Sequence, residues 1–139
     1  MMLPIAKEAS LKIKEISYIH AEGYSGGALK HGPFALIETN MPIFIIAIDD
    51  NNYEKMITVT EEVKARGAKP ILITDIQDFN KTKEEHSHLF ENIIEIPRNS
   101  TFSPVLSIIP FQYISYKLSM FRGINPDFPR HLAKCVTTD

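Results

Sequence analysis

The stretch from Leu11 to Glu38, LKIKEISYIHAEGYSGGALKHGPFALIE, gathers lysines, carboxylates and histidines around a glycine-rich turn and then runs into a hydrophobic strand. Lys12 and Glu15 stand one helical turn apart and project from the same side of a helix. An ammonium and a carboxylate held there can stabilise developing charge and carry a proton. His31, followed by Gly32 and Pro33, adds a third acid–base group. We read the stretch as half of an active site. Each residue also has a plainer reading from pattern alone. Lys12 with Glu15 is a solvated i, i+3 ion pair, His31 a turn or cap residue, and Lys134 a solvated lysine in a polar tail.

These residues need elements to hold them. From Leu3 to about His20 the apolar positions Ile5, Ala9, Ile13, Ile16 and Ile19 mark one buried helical face, and Pro4 fits the first turn. A short helix is expected within Gly23 to Lys30, ended by His31-Gly32-Pro33. The run Pro42 to Ile48 is almost continuously apolar, as in a parallel strand covered on both faces. Any of Asp49, Asp50, Asn51 and Asn52 can cap the next helix, Tyr53 to Arg66, whose buried stripe is Met56, Val59 and Val63 and whose end is Gly67. Residues 70–74 and 93–97 are the second and third buried strands. The charged segment 78–91 between them holds at most a short helix.

Ser100 or Thr101 is expected to cap a long helix from Phe102 to about Arg122, ended by Gly123 and kinked at Pro110. Its apolar residues run nearly all round, so it should be sandwiched between layers or against a partner chain. The pattern predicts an α/β fold, a three-layer α/β/α sandwich on a parallel sheet. Residues 1–123 form the module and residues 124–139 a tail that must lie on something. Because such sheets open with a strand that feeds the first helix, a first strand is expected in a segment preceding this chain.

The 139 residues suffice for one domain with a real core, and a net charge of −2 with scattered Lys and Arg does not suggest a nucleic-acid surface. Cys135 is the single cysteine, which excludes an internal disulfide and argues against a thiolate metal site. Residues 1–8 lack the features of a signal peptide, and Ser107, Gln112, Ser115 and Lys117 interrupt the longest apolar segment, so no membrane span is expected and the expected location is cytoplasmic.

Four segments carry a resemblance: Lys12-Ile-Lys-Glu15, Ala21-Glu22-Gly23-Tyr24, Ala28-Leu-Lys-His-Gly-Pro33, and Asp127-Phe-Pro-Arg-His-Leu-Ala-Lys134. In this order they resemble the C-terminal sugar-isomerase (SIS) half of glutamine–fructose-6-phosphate aminotransferases, the glucosamine-6-phosphate synthases, from about Pro4 to the last residue. The resemblance implies the second of two SIS modules in an enzyme that makes glucosamine 6-phosphate from fructose 6-phosphate and glutamine-derived ammonia, with a glutaminase domain and a first SIS module upstream. The family's phosphate pocket lies in that first module, so this piece alone should not catalyse.

By the same resemblance Lys134 is the Schiff-base lysine, Glu15 the base that moves a proton between C1 and C2, and Lys12 a charge stabiliser or hydroxyl proton shuttle. His31 helps to open the sugar ring from the neighbouring subunit of a homodimer. Ala133 joins Lys12, Glu15 and Lys134 in the substrate-binding set, and no cofactor or metal is implied. A neutral Lys134 is favoured by a nearby cation such as Lys12 and by a covering tail. The chain departs from the family at Ala28, where glutamate is usual in GELKHGP, and at His131, Cys135 and the Thr138-Asp139 ending, all beside the reactive residues. Two readings from other classes stand beside this one: a sugar-phosphate-binding SIS module without catalysis, and a structural dimerisation fragment. The first has no need of a Schiff-base lysine.

Overall fold

In the computed structural model, which describes residues 2–131, three strands make one parallel sheet in the order β1 (Pro42–Ile46), β2 (Lys69–Thr74), β3 (Asn92–Glu95). Ile45 pairs with Leu72 and Ile73 with Ile94. Successive side chains along a strand point to opposite faces, so a nearly unbroken apolar run supplies two cores at once. Ile45, Ala47 and Leu72 enter one core, whereas Ile46 and Ile73 enter the other. Leu72 and Ile73 of the central strand are fully buried.

The first core is covered by α2 (Tyr53–Lys64) and by the 78–91 segment, which holds two one-turn helices, α3 (Phe79–Thr82) and α4 (Glu84–Ser87), where the sequence predicts at most one. The second is covered by α1 (Leu3–Ser17), α5 (Ser103–Leu106) and α6 (Ile108–Phe121). The architecture is therefore the expected α/β/α sandwich. Gly67 and Gly123 follow α2 and α6 with φ of 89° and 68°, a left-handed conformation in which a side chain is strained. No strand precedes α1 among the described residues, and β1 is an edge. A cleft of about 290 Å³ runs beside it, walled by Leu3 and Ala6 of α1 and by Met56 and Val59 of α2.

Several local expectations are corrected. α1 stops at Ser17, three residues early, because Tyr18 turns left-handed. The buried face of α2 is Tyr53, Ile57, Val59, Thr60 and Val63, with Met56 only partly covered. Asn52 makes no capping bond with its side chain; the Asp50 carboxylate instead accepts the Asn52 N–H at 2.7 Å. Neither Ser100 nor Thr101 caps the last helical segment. Asn99 does that work, its Oδ1 accepting the N–H groups of Thr101 (3.0 Å) and Phe102 (2.9 Å).

The expected long helix is two helices divided at Ser107, with Pro110 in the first turn of α6, where a missing amide leaves fewer bonds unmade. Within the single chain it is covered on one side. Its buried stripe is Ser103, Ser107, Phe111, Ser115 and Ser119, while Val105, Ile109, Tyr113 and Met120 are each more than half exposed. The small serines let α1 lie close, and two of their hydroxyls donate to carbonyls of their own helical segment, Ser107 Oγ to Ser103 at 2.8 Å and Ser119 Oγ to Tyr116 at 2.7 Å. No helix among the described residues is long and apolar enough to cross a membrane.

This packing makes a testable distinction between faces of one helix. Ser115→Leu forces bulk into the α1–α6 contact and should destabilise the fold by about 1–3 kcal/mol. Tyr113→Ser, on the exposed face, should change stability by no more than about 0.5 kcal/mol. Urea unfolding of the two variants measures both, and equal losses would mean that the serine face is not the close contact.

Candidate active site

α1 presents its chemistry along one margin. Its Ala9, Ile13 and Ser17 are buried toward the sheet and α6, which fixes the rotation of the helix. Lys12 and Glu15 then stand at the boundary with solvent, with side chains 34% and 26% exposed, their Nζ and Oε2 2.8 Å apart. A second carboxylate, Glu8 Oε1, lies 3.5 Å from the same ammonium. The hydrogen bond to Glu15 raises the Lys12 pKa above its ordinary value; burial opposes this, and the charges of Glu15 and Glu8 add to it. Lys12 is thus held as a cation. It suits charge stabilisation, and it is no nucleophile in this state.

The C-terminal end of α1 is more unusual than its sequence suggests. Tyr18 caps the helix at φ 57° and ψ 26°, its N–H donating to the Lys14 carbonyl at 3.1 Å. A non-glycine residue in this region costs roughly 1–2 kcal/mol. The following loop then presses back onto the helix at Gly23, where a Cβ would come within 2.5 Å of the Ala6 backbone. The tail meets the C-terminal end of α1: the Arg130 N–H donates to the Tyr18 hydroxyl at 2.7 Å, and the guanidinium stacks 4.3 Å from the ring centre.

His31 lies elsewhere. It ends the 3-10 turn Gly26–His31, and the neighbouring Leu29 and Phe34 pack into the core that α2 covers. Lys30 pairs with Glu62 of α2 at 2.8 Å, and the Arg66 guanidinium stacks 4.0 Å from the centre of the Phe34 ring. His31 is exposed in the α2 layer, whereas Lys12 and Glu15 belong to the α1 layer. The structure therefore brings Lys12 and Glu15 together and leaves His31 apart from them within one chain. Ala133, Lys134 and Cys135 lie outside the described residues; His131 is described, exposed, at φ 58°.

Sequence reasoning passed over two participants. Glu8 was legible, since it precedes Lys12 by four residues, the spacing at which helical charges meet. Tyr18 was not, because nothing in a sequence announces a left-handed tyrosine that also receives a segment 112 residues away.

A parallel sheet between two helical layers, with an acid–base pair on its first helix, defines an α/β/α module of the doubly wound kind. The SIS domain signature matches residues 3–122, and the chain belongs to the SIS domain family. It is 46% identical over 137 residues to a glutamine–fructose-6-phosphate aminotransferase (isomerizing) of Chlorobaculum tepidum, covering 98% of this chain and 22% of that protein. A protein of the same description from Mesorhizobium japonicum is 46% identical over 136 residues, with the same two coverages. Among solved structures, the C-terminal domain of glucosamine-fructose-6-phosphate aminotransferase from Francisella tularensis superposes with a TM-score of 0.78 at 42% identity, covering 89% of this chain and 34% of that one. The chain thus spans about a fifth of the length of these curated relatives.

The ion pair has a consequence for alkaline stability. Because the folded ammonium titrates above its ordinary 10.5, its contribution is fully present below that value and is lost as the pH rises through the higher folded one. Glu15→Gln should move the Lys12 midpoint, followed by NMR at the carbon beside the amine, back toward 10.5, with Glu8 holding part of the shift. It should also flatten the loss of stability above that pH. An unmoved midpoint would show that the pair does not form in solution.

Proposed function

We propose that this chain is the second SIS module of a glutamine–fructose-6-phosphate aminotransferase, the part that carries the isomerase chemistry by which fructose 6-phosphate and glutamine-derived ammonia become glucosamine 6-phosphate. The observation that carries the reading is the Lys12–Glu15 pair, 2.8 Å apart and partly buried on a helix whose inward face is locked. The similarity to relatives of that activity over nearly the whole chain supports it.

In this reading the neutral amine of Lys134 adds to the C2 carbonyl of the open-chain ketose, and water leaves as the C=N bond forms. Ammonia then displaces the Lys134 amine from C2, freeing the lysine and leaving an imine on C2. Glu15 takes the proton from C1 and returns it to C2 while the C1 hydroxyl proton passes to nitrogen, giving the C2 amine and the C1 aldehyde. Lys12, fixed as a cation, stabilises the negative charge that develops on the sugar oxygens. Ala133 lines the sugar beside Lys134. His31 assists ring opening from the neighbouring subunit of a homodimer, a reading that its separation from the α1 pair within one chain supports. Residues 1–123 are the module and 124–139 the tail that carries the Schiff-base lysine. The upstream glutaminase domain and first SIS module provide ammonia and the phosphate pocket, so the isolated piece does not turn over. The enzyme works in the cytoplasm, without cofactor or metal.

The roles separate by experiment in the complete enzyme. Lys134→Ala should abolish borohydride trapping of fructose 6-phosphate. Glu15→Gln should still trap sugar while hydrogen exchange at C1 falls by roughly 100-fold or more. Lys12→Ala should weaken both steps in part. Wild-type exchange in Glu15→Gln, or trapped sugar in Lys134→Ala, would refute the assigned roles.

A further inference from the structure

Most of the large apolar side chains exposed among the described residues fall between Phe102 and Phe121. Val105, Ile109, Tyr113, Tyr116 and Met120 follow one another at helical spacing. Ser107, between the two helices, is itself helical at φ −63° and ψ −16°, so the five make one stripe along the outer side of α5 and α6. We propose that this stripe is an interface between two copies of the chain, packed antiparallel with α6 on α6. Its composition is that of an interface core, apolar, aromatic and poor in charge. No Asp or Glu occurs between Glu95 and Asp127, and the single charge on the two helices is Lys117, whose ammonium sits 5.3 Å from the Tyr113 ring centre.

Self-complementarity selects a second copy as the occupant. The N-terminal half of the stripe borders a groove of about 480 Å³ between β3 and α6, walled by Ile94, Pro97, Ile109 and Tyr113. The C-terminal half carries Tyr116 and Met120 as a projecting ridge, 43% and 53% exposed. An antiparallel two-fold pairing centred between Ile114 and Ser115 sets Met120 of each copy against Ile109 of the other, and Tyr113 against Tyr116, so every contact occurs twice. A flexible Met suits an irregular groove, and the tyrosine rings pair across the axis. Lys117 then falls opposite Gln112, whose amide oxygen accepts a hydrogen bond, and the two lysines stay apart.

The area is sufficient. With about half of each of the five side chains and of Phe102 exposed, each copy brings roughly 500 Å² of apolar surface. A pair would bury about 1,000 Å², the lower bound for a specific contact, and should associate in the micromolar range. This contact is separate from any through which His31 reaches a neighbouring chain. The groove lies along β3, whereas the turn that carries His31 borders the cleft beside β1, on the opposite edge of the described sheet. No part of the proposal uses the chemistry of Lys12 and Glu15, so it stands or falls apart from the proposed function.

Sedimentation equilibrium of this chain tests the pairing and its register together. The unsubstituted chain should show a monomer–dimer equilibrium with a Kd of about 1–100 µM. Ile109→Glu and Met120→Lys should each raise the Kd about 100-fold or more, since each sets an unpaired charge in the contact twice. An equimolar mixture of the two variants should dimerise again, because the new carboxylate of one copy then faces the new ammonium of the other. Urea unfolding at a chain concentration roughly tenfold below the Kd, where the dimer is dissociated, should leave both variants' midpoints unchanged, which separates a lost contact from a lost fold. A chain that stays monomeric at about 1 mM would overturn the proposal and leave the stripe to a different partner. A dimer that survives both substitutions, or that is lost in Leu36→Glu beside the His31 turn, would place the contact elsewhere and overturn it too. Two folded variants that do not associate when mixed would overturn the antiparallel register.

Discussion

The close approach of α1 to α6 is the constraint on which the chemistry of this chain depends. A helix of 15 residues is marginal alone in water, and its stability comes from the face it buries. Here that face is Ala9, Ser10, Ile13 and Ser17 against Ser107, Phe111, Ser115 and Ser119, all small side chains except Ile13 and Phe111. With its rotation fixed, α1 can put Lys12 and Glu15 at the solvent boundary and Tyr18 at its own end without further support. The serines contribute through size, since most of their hydroxyls are satisfied within their own helix. Ser115 is the exception, its Oγ buried without a partner among the described residues.

The sheet divides the remaining work. Its two faces carry separate cores, and each holds a different part of the candidate site in place. The α1 layer holds the acid–base pair and receives the tail, and the α2 layer holds His31 in a turn stitched down by Lys30–Glu62 and by Arg66 on Phe34. Under the proposed function, a reaction that uses both brings two such surfaces together from two chains. One side of α5 and α6, with Val105, Ile109, Tyr113 and Met120, is apolar and exposed in the single chain, which spans about a fifth of the length of its curated relatives.

Much of this was legible in the residues. Continuous apolar runs at Pro42, Pro70 and Ile93 announced parallel strands because only a strand covered on both faces can use every side chain. Gly67 and Gly123 announced helix ends, and the Lys12 to Glu15 spacing announced the pair. That the buried stripe of α6 would be its serines was not legible, because a serine stripe looks polar by composition and small by geometry, and geometry decided the packing. The cap before α5 went to Asn99 because its longer side chain reaches two amides that Ser100 and Thr101 do not. The layer to which His31 belongs follows from how Leu29 and Phe34 dock, a tertiary fact with no local signature.

The most direct measurement is the position of the sugar in a structure of the complete enzyme reduced with borohydride in the presence of fructose 6-phosphate. The account predicts a bond from C2 to the Lys134 amine, C1 within about 3–3.5 Å of the Glu15 carboxylate, and the Lys12 ammonium beside the sugar oxygens. A sugar bound on the α2 layer, or one attached to Lys134 but distant from Glu15, would contradict it.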